Sequence, residues 1–155
     1  MRFIADTMLG TLAKWLRVLG LDTVYAKEMN DGKILLFAKK ESRIILSRDR
    51  NLCSSDENSI FIESIELEEQ IRQVLAKFPV NEPDILTRCL ECNTLLVQAT
   101  SEEAAEFVPE GVAERFDVFF KCPICTRYYW EGSHWKNMRE RAMALINVQK
   151  NQCLS

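Results

Sequence analysis

Residues 2–20 read RFIADTMLGTLAKWLRVLG, and their pattern decides the architecture of the first half of the chain. Residues 3–5 form a short apolar run that predicts a buried strand, which ends on the carboxylate of Asp6. A helix is predicted next, because apolar side chains recur at the spacing of one helix face. They are Leu9, Leu12, Ala13, Leu16 and Leu19. Gly20 predicts the end of that helix.

The same alternation of strand and helix continues to residue 78. Further strands are predicted at residues 23–26, 43–47 and 60–64, and further helices at residues 31–41, just after Asp49 and at residues 67–78. Strands separated by helices of this length form right-handed crossovers. We therefore predict an α/β fold, with a small parallel sheet that carries helices on both faces.

The second half of the chain has a different pattern. The stretch PVNEPDI contains two of the four prolines and predicts a linker, which we place at residues 79–87. Residues 88–155 carry two cysteine pairs and few long apolar runs, with a helical stripe from Trp135 to Val148. The predicted organisation is thus one domain over residues 1–78 and a second part over residues 88–155 that ends in a helix.

Composition limits the classes of partner. The net charge of the 155 residues is -3 and the sequence pI is about 5.3, so nucleic acid would have to be held by a local basic patch or through bound metal. No apolar run approaches the roughly 18 residues of a membrane helix, and the N-terminus lacks a signal-peptide pattern. We expect a cytoplasmic, reducing location without membrane association.

Two CxxC pairs lie in the second half, at Cys89 and Cys92 and at Cys122 and Cys125. Two such turns can direct four thiolates at one Zn²⁺, so they predict a structural zinc ribbon. The 29 residues between the pairs exceed the spacing of the simplest ribbons and predict an insertion. A redox role for one CxxC is the alternative. The remaining cysteines, Cys53 and Cys153, are predicted to be free thiols.

Carboxylates follow three of the predicted strands. Asp6 ends the first strand, Asp31 follows the second across a loop, and Asp49 comes just after the third. Because ligands bind at the carboxyl ends of parallel strands, we expect these three groups to converge at one edge. Clustered carboxylates require a cation, and oxygen ligands suit Mg²⁺ or Mn²⁺. Phosphodiester hydrolysis is the chemistry this predicts, with Glu63 as a further candidate ligand.

A purely structural alternative exists for two of these acids. Aspartate is a preferred helix N-cap, and Asp31 and Asp49 both stand where a helix is predicted to begin. Asp31 in particular is placed to cap the helix over residues 31–41. Asp6 is harder to explain in this way, because Thr7 could serve as the cap.

Four motifs together resemble the Mut-seven C-terminal RNase domain family. They are FIADTMLGTLAKWLRVLGLD (3–22), SRD (47–49), RCLECN (88–93) and CPICTRYYWEGSHW (122–135), and the resemblance covers nearly the whole chain in the right order. It implies a PIN-like nuclease domain followed by a zinc ribbon, an acidic metal site at Asp6, Asp31 and Asp49, and zinc ligands at the four paired cysteines. The chain departs from the family in having Ser47 where Thr is usual, and fewer acids around Asp31.

Several residues are candidates for substrate contact. Lys14 and Arg17 are three residues apart on the first helix and share a face, and Ser47 and Arg48 adjoin Asp49. His134, the only histidine, belongs to the closing motif of the family, and we predict that it contacts phosphate or RNA; the alternative is a structural role, which is more usual for a lone histidine. Lysine and arginine on an amphipathic helix can equally be solvated without function.

Aromatic residues are concentrated near the end of the chain. They are Tyr128, Tyr129, Trp130 and Trp135. Between residues 127 and 150, five basic residues stand against two acidic ones, a composition that could stack bases and hold phosphates. The same aromatics could instead form the small core of the ribbon.

The predicted function is a metal-dependent ribonuclease that takes RNA as its substrate, with zinc as a structural cofactor and magnesium or manganese as the catalytic one. The alternative from another class is an inactive RNA-binding or ribosome-binding module, in which the ribbon provides recognition. The pattern specifies neither an antitoxin-like protein partner nor an oligomeric state.

Overall fold

The computed structural model describes the backbone of residues 1–152 and the side chains of residues 1–148. Four parallel strands form the central sheet, in the order β2-β1-β3-β4. They are β1 (Arg2–Ala5), β2 (Asp22–Tyr25), β3 (Ile44–Ser47) and β4 (Ile60–Phe61). Because all four run in one direction, their carboxyl ends share one edge of the sheet.

Helices cover both faces of this sheet. They are α1 (Gly10–Val18), α2 (Asp31–Glu41), α3 (Arg50–Ser54) and α4 (Leu67–Lys77), with short 3-10 helices at Thr7–Leu9 and Glu82–Asp84. Successive β1 side chains point to opposite faces: Phe3 packs in the core formed with α1 and α4, whereas Ile4 packs with α2 and α3. The predicted α/β fold with helices on both faces is confirmed.

The fourth strand is shorter than predicted. Residues 60–64 were expected to be extended, but β4 contains only Ile60 and Phe61. Its partner β3 ends at Ser47, so pairing stops after Ser47 aligns with Phe61. The apolar signal that lengthened the prediction comes from Ile62, which is fully buried and still donates its amide to the Ser47 carbonyl at 2.7 Å.

A second, antiparallel sheet carries the cysteine pairs. It consists of β5 (Val97–Ala99), β6 (Phe119–Lys121) and β7 (Tyr128–Trp130). The long spacing between the pairs contains β5, a short helix α5 (Ser101–Ala104) and a loop to residue 118. This segment has a small core of its own, formed by Ala99, Ala104, Val112 and Phe119.

The C-terminal helix, α6 (Ser133–Gln152), is longer than the predicted span of residues 135–148. It packs against the main sheet domain, because Leu145 and Ile146 are buried in the same core as Phe3. The Arg141 guanidinium also lies 4.7 Å from the centre of the Trp15 ring on α1. The division into domains over residues 1–78 and 88–155 stays a prediction. Neither α6 nor any other helix within residues 1–152 is long and apolar enough to cross a bilayer.

Candidate active site and metal centre

The carboxyl ends of β1 and β3 bring Asp6 and Ser47 side by side. Ala5 is paired with Leu46, so the next residue of each strand faces the other, and the Asp6 amide donates to the Leu46 carbonyl at 3.0 Å. Strand β2 pairs with one side of β1, and β3 pairs with the other side. This reversal of strand order is where open α/β sheets form a ligand-binding crevice.

The Asp6 carboxylate is buried, with only 6% of the residue exposed, and hydrogen bonds fix its orientation. Its Oδ2 accepts a hydrogen bond from Ser47 Oγ at 2.7 Å, and its Oδ1 accepts from the Thr7 amide at 2.6 Å and from Thr7 Oγ1 at 3.1 Å. Each carboxylate oxygen has two acceptor positions, so these bonds leave Oδ2 one position for a cation. Asp6 therefore combines a fixed orientation with remaining ligand capacity.

Asp49 is connected to Asp6 through Ser47. The Asp49 amide donates to Ser47 Oγ at 2.9 Å, and the same hydroxyl donates to Asp6. Asp49 also caps α3, since its Oδ1 accepts from the Asn51 and Leu52 amides at 2.7 and 3.3 Å. Ser47 is completely buried, and its hydroxyl bonds both the Asp6 carboxylate and the Asp49 amide. This placement fits a positioning role for Ser47 better than the predicted contact with substrate.

Asp31 does not join the other two acids. It is an exposed residue in the first turn of α2, on the other side of β1 from Asp49. The prediction that Asp31 caps this helix is wrong, because the cap is Asn30, whose Oδ1 accepts from the Lys33 amide at 3.0 Å. Within residues 1–148, no hydrogen bond links Asp31 to Asp6 or Asp49. Glu63, the further candidate, is exposed beyond β4.

Two residues at this edge were missed by sequence reasoning. Thr7 donates two hydrogen bonds to Asp6, and the Tyr25 hydroxyl donates to the Thr7 carbonyl at 2.9 Å. The Tyr25 ring also fills the space beside Gly10, where an added Cβ would lie 2.9 Å from it. Their positions in the sequence could have indicated this role, because Tyr25 ends β2 at the same edge where Asp6 and Thr7 follow β1.

The four paired cysteines converge on one point. Their Sγ atoms all lie within 4.8 Å of one another, and in the described part of the chain this is the one group of three or more His, Cys, Asp or Glu side chains with metal-binding geometry. Each pair forms the same kind of turn: Asn93 and Thr126, each four residues after the first cysteine of its pair, are left-handed and bond their amides to that cysteine's carbonyl at 3.0 Å.

The chemistry of the thiols fits a zinc ion. Burial opposes ionisation of Cys89, yet hydrogen bonds from the Tyr129 hydroxyl at 3.2 Å and from nearby backbone lower its pKa to about 6. Burial and the neighbouring thiols raise the pKa of Cys125 to about 12. Four thiolates this close together repel one another, so a cation would stabilise them, and four cysteine ligands would form the closed shell of a structural Zn²⁺ site.

The other two cysteines take no part in this cluster. Cys53 is a half-buried free thiol after β3, and Cys153 lies outside the described residues. The convergence of both CxxC pairs supports the zinc ribbon over the redox alternative, which needs a single CxxC at a strand-to-helix turn.

The family model of the Mut7-C RNAse domain matches residues 1–142 of this 155-residue chain. The chain belongs to the Mut7-C RNase domain family. The matched region contains the whole parallel sheet, the three candidate acids and all four zinc-site cysteines. Membership in Mut7-C indicates a nuclease-type function. Neither the curated proteins nor the solved structures contain a match to the chain.

The basic residues of this Mut7-C chain differ in accessibility. Lys14 is exposed on α1. Arg17 is only 7% exposed, and its Nε donates to the Thr23 carbonyl at 2.8 Å. Its Nη1 donates to the carbonyls of Leu90 and Glu91 at 2.8 and 2.9 Å. These bonds engage Nε and Nη1 of the buried guanidinium and join α1 to the first cysteine turn, a structural role that fits Arg17 better than the predicted substrate contact.

Arg48 and His134 remain available for contacts. Arg48 is half-buried beside Asp49, and its Nε is buried without a hydrogen-bond partner among the described residues. His134 is exposed in the first turn of α6 and lines a groove together with Lys14. Arg48 thus lies next to an acid, whereas Lys14 and His134 lie in the groove beside the ribbon.

Proposed function

We propose that this Mut7-C protein is a metal-dependent ribonuclease that hydrolyses RNA phosphodiester bonds at the β1/β3 edge, with its zinc ribbon aiding RNA binding. The observation that carries the proposal is the connection of Asp6 to Asp49 through the Ser47 hydroxyl at the reversal point of the sheet. Oδ1 of Asp6 caps the 3-10 helix Thr7–Leu9, whereas Oδ2, which accepts from Ser47, takes no part in that cap and is the oxygen we assign to a cation.

The available donors fit a hard cation. Mg²⁺ keeps several waters and usually binds through one or two carboxylates together with substrate phosphate. Asp6 Oδ2 retains acceptor capacity, and no protein donor within residues 1–148 bonds to Oδ2 of Asp49. We propose that these two residues would hold the metal, and we keep Asp31 as a further candidate ligand at the same edge of the sheet. When bound, Mg²⁺ or Mn²⁺ would polarise the phosphate and lower the pKa of an attacking water.

The remaining residues orient the acids and the substrate. Ser47 and Thr7 fix the Asp6 carboxylate, so its oxygens need no reorganisation when a substrate arrives. Arg48 directly precedes Asp49 and is half-buried, so its positive charge lies close to the acids and suits it to attract a phosphate. Lys14 extends this positive surface along α1 toward the ribbon.

One observation favours a second candidate, an inactive RNA-binding or ribosome-binding module. Asp31 lies apart from Asp6 and Asp49, so the site has two close acids where the resemblance implies three. In that case the ribbon would provide recognition and the acidic edge would have no catalytic role. Cleavage distinguishes the two functions directly.

The test is cleavage of end-labelled RNA by purified protein with Mg²⁺ or Mn²⁺. We expect Asp6→Asn and Asp49→Asn to reduce the cleavage rate about 100-fold or more, because metal-assisted stabilisation contributes several kcal/mol and each ~1.4 kcal/mol is tenfold. Asp31→Asn should reduce it less. Asp56→Asn is the matched control, since Asp56 is in the loop after α3 and its carboxylate, among the described residues, accepts only from the nearby Asn58 amide.

Two results would contradict the ribonuclease. Equal cleavage by the parent and by Asp6→Asn would identify a contaminating nuclease, and absence of cleavage in both would favour the binding module. Circular dichroism of each variant checks that loss of rate does not reflect loss of fold.

A further inference from the structure

A groove of about 610 Å³ lies between the zinc ribbon and the main domain. Its walls come from α1, the two cysteine turns, β7 and the start of α6, and Phe107 reaches it from the loop after α5. Its size falls within the roughly 300–1,000 Å³ of sites that enclose small organic ligands. The acidic edge does not use this groove, so it needs an explanation of its own.

The groove contains an exposed aromatic platform. Phe107 stacks on Tyr128 with ring centroids 5.3 Å apart and planes 15° apart, while 62% of Phe107 remains exposed. The ammonium group of Lys121 also lies 5.5 Å from the centre of the Tyr128 ring. Tyr128 is thus held in place and supports Phe107. A phenylalanine supported on one face and open to solvent on the other suits a planar ligand.

Polar groups of the groove are left without protein partners. Within residues 1–148, no hydrogen bond engages the Trp130 indole nitrogen or the His134 ring, and both residues line the groove. Gly132 approaches Trp130 closely, since a Cβ there would lie 2.9 Å from Nε1, so the indole is fixed against the turn into α6. The groove therefore presents directional hydrogen-bonding groups beside an apolar face.

Two cations, Lys14 and Arg127, and one carboxylate, Glu91, line the groove and leave it a net positive charge. Lys14 makes no ion pair within the described residues, and Arg127 makes only an exposed one, 3.7 Å from Glu91. Exposed pairs of this kind contribute little and leave the arginine free to bind another anion. An aromatic platform, unpaired hydrogen-bonding groups and rim cations together match a nucleobase with flanking phosphates better than they match an apolar peptide.

We propose that this groove is a subsite for an unpaired base of single-stranded RNA, stacked on Phe107 and hydrogen-bonded by Trp130 or His134, with Lys14 and Arg127 on the adjoining phosphates. The inference rests on the proposed function, because it takes RNA as the ligand. It adds the substrate class: a base in a duplex is already stacked on both faces and paired along its Watson–Crick edge, so only an unpaired strand can fill the groove.

The position of Lys14 relates the subsite to the acids. The 3-10 helix Thr7–Leu9 and the first turn of α1 separate Lys14 from Asp6. Rises of about 2.0 and 1.5 Å per residue put them at most about 14 Å apart along the helix. A short strand can therefore occupy the groove while a phosphate a few nucleotides away reaches Asp6.

Direct binding tests this without relying on catalysis. Full-length, zinc-loaded protein with the Asp6→Asn change is titrated, without Mg²⁺ or Mn²⁺, against a fluorescent RNA strand of about 10 nucleotides, a length typical of single-strand binders. Fluorescence anisotropy gives Kd for this strand and for its blunt duplex. We expect Phe107→Ala to weaken single-strand binding about 5- to 100-fold, and the parent to bind the duplex more weakly than the strand.

Controls make the result specific to the groove. Leu36→Ala removes a comparably exposed side chain from α2, 74% exposed, and should leave Kd unchanged. His134→Ala combined with Phe107→Ala should weaken binding beyond Phe107→Ala alone. Unchanged Kd for the double variant, or equal binding of strand and duplex, overturns the subsite, as does competition for the groove by apolar peptide but not by RNA. Groove-dependent binding without any cleavage by the parent would instead reject only the ribonuclease proposal.

Discussion

The Nη1 of Arg17 donates to the Leu90 carbonyl at 2.8 Å, and this bond fastens the first cysteine turn to α1. A second connection comes from Asn93 in the same turn. Its Oδ1 accepts from the Thr23 amide at 2.9 Å, and its Nδ2 donates to Asp22 at 2.7 Å. The turn that carries two of the four clustered cysteines is thereby bonded to both α1 and β2. Zinc binding should therefore stabilise the sheet domain as well as the ribbon.

Arg17→Met should destabilise the protein by about 2–3 kcal/mol, because buried carbonyls lose a charged donor. Urea unfolding at neutral pH measures the change. Lys14→Met is the matched control: Lys14 is exposed three residues earlier on α1, so its replacement should change stability little while weakening RNA binding. Equal stability of the two variants would mean that the Arg17 contacts do not hold the ribbon in place.

Removal of zinc should lower the melting temperature of the whole protein. We expect one zinc per chain by elemental analysis, lost in Cys89→Ser and in Cys122→Ser, since both cysteines belong to the single cluster. Cys53→Ser is the control and should keep its zinc, because Cys53 lies outside that cluster. A purified protein without zinc that melts identically before and after chelation would contradict the ribbon.

The hydroxyl of Ser47 should matter more than its size. It donates to Asp6 and accepts from the Asp49 amide, so Ser47→Ala leaves both without that partner. We expect about a tenfold lower cleavage rate, the equivalent of one hydrogen bond of about 1.4 kcal/mol. Ser47→Thr keeps the hydroxyl and should keep most of the rate. If both variants cleave at the parent rate, the link between the acids has no role in catalysis.

The features that the sequence predicts correctly depend on local patterns and on strand direction. The CxxC spacing predicts the four-cysteine cluster because the two thiols of one tight turn point in the same direction. The apolar run before Asp6 predicts β1, and the parallel topology then places Asp6 beside β3. These predictions need only spacing and the direction of strands.

Contacts between distant segments account for the rest. The burial of Arg17 depends on carbonyls at positions 90 and 91, which no helical pattern on α1 indicates. The choice of Asn30 over Asp31 as the cap of α2 depends on where the preceding loop ends, to within one residue. The groove depends on an insertion that carries Phe107 back to β7, and the composition of that insertion gives no sign of this contact.

Gly20 should be intolerant of substitution. It has φ +82°, and an added Cβ would collide with the Asp84 carbonyl oxygen, because the segment after α4 folds back onto the end of α1. The Leu86 amide donates to the Val18 carbonyl at 2.7 Å in the same place, so neither segment can easily move away. Gly20→Ala should therefore cost more than about 2 kcal/mol of unfolding free energy.

Gly32→Ala is the control: Gly32 is in the first turn of α2, where an added Cβ makes only an ordinary 3.7 Å contact, so the substitution should be neutral or slightly stabilising. Chemical denaturation of the two variants gives the comparison. Equal stability of both would mean that the chain near Asp84 can shift to admit a side chain at position 20.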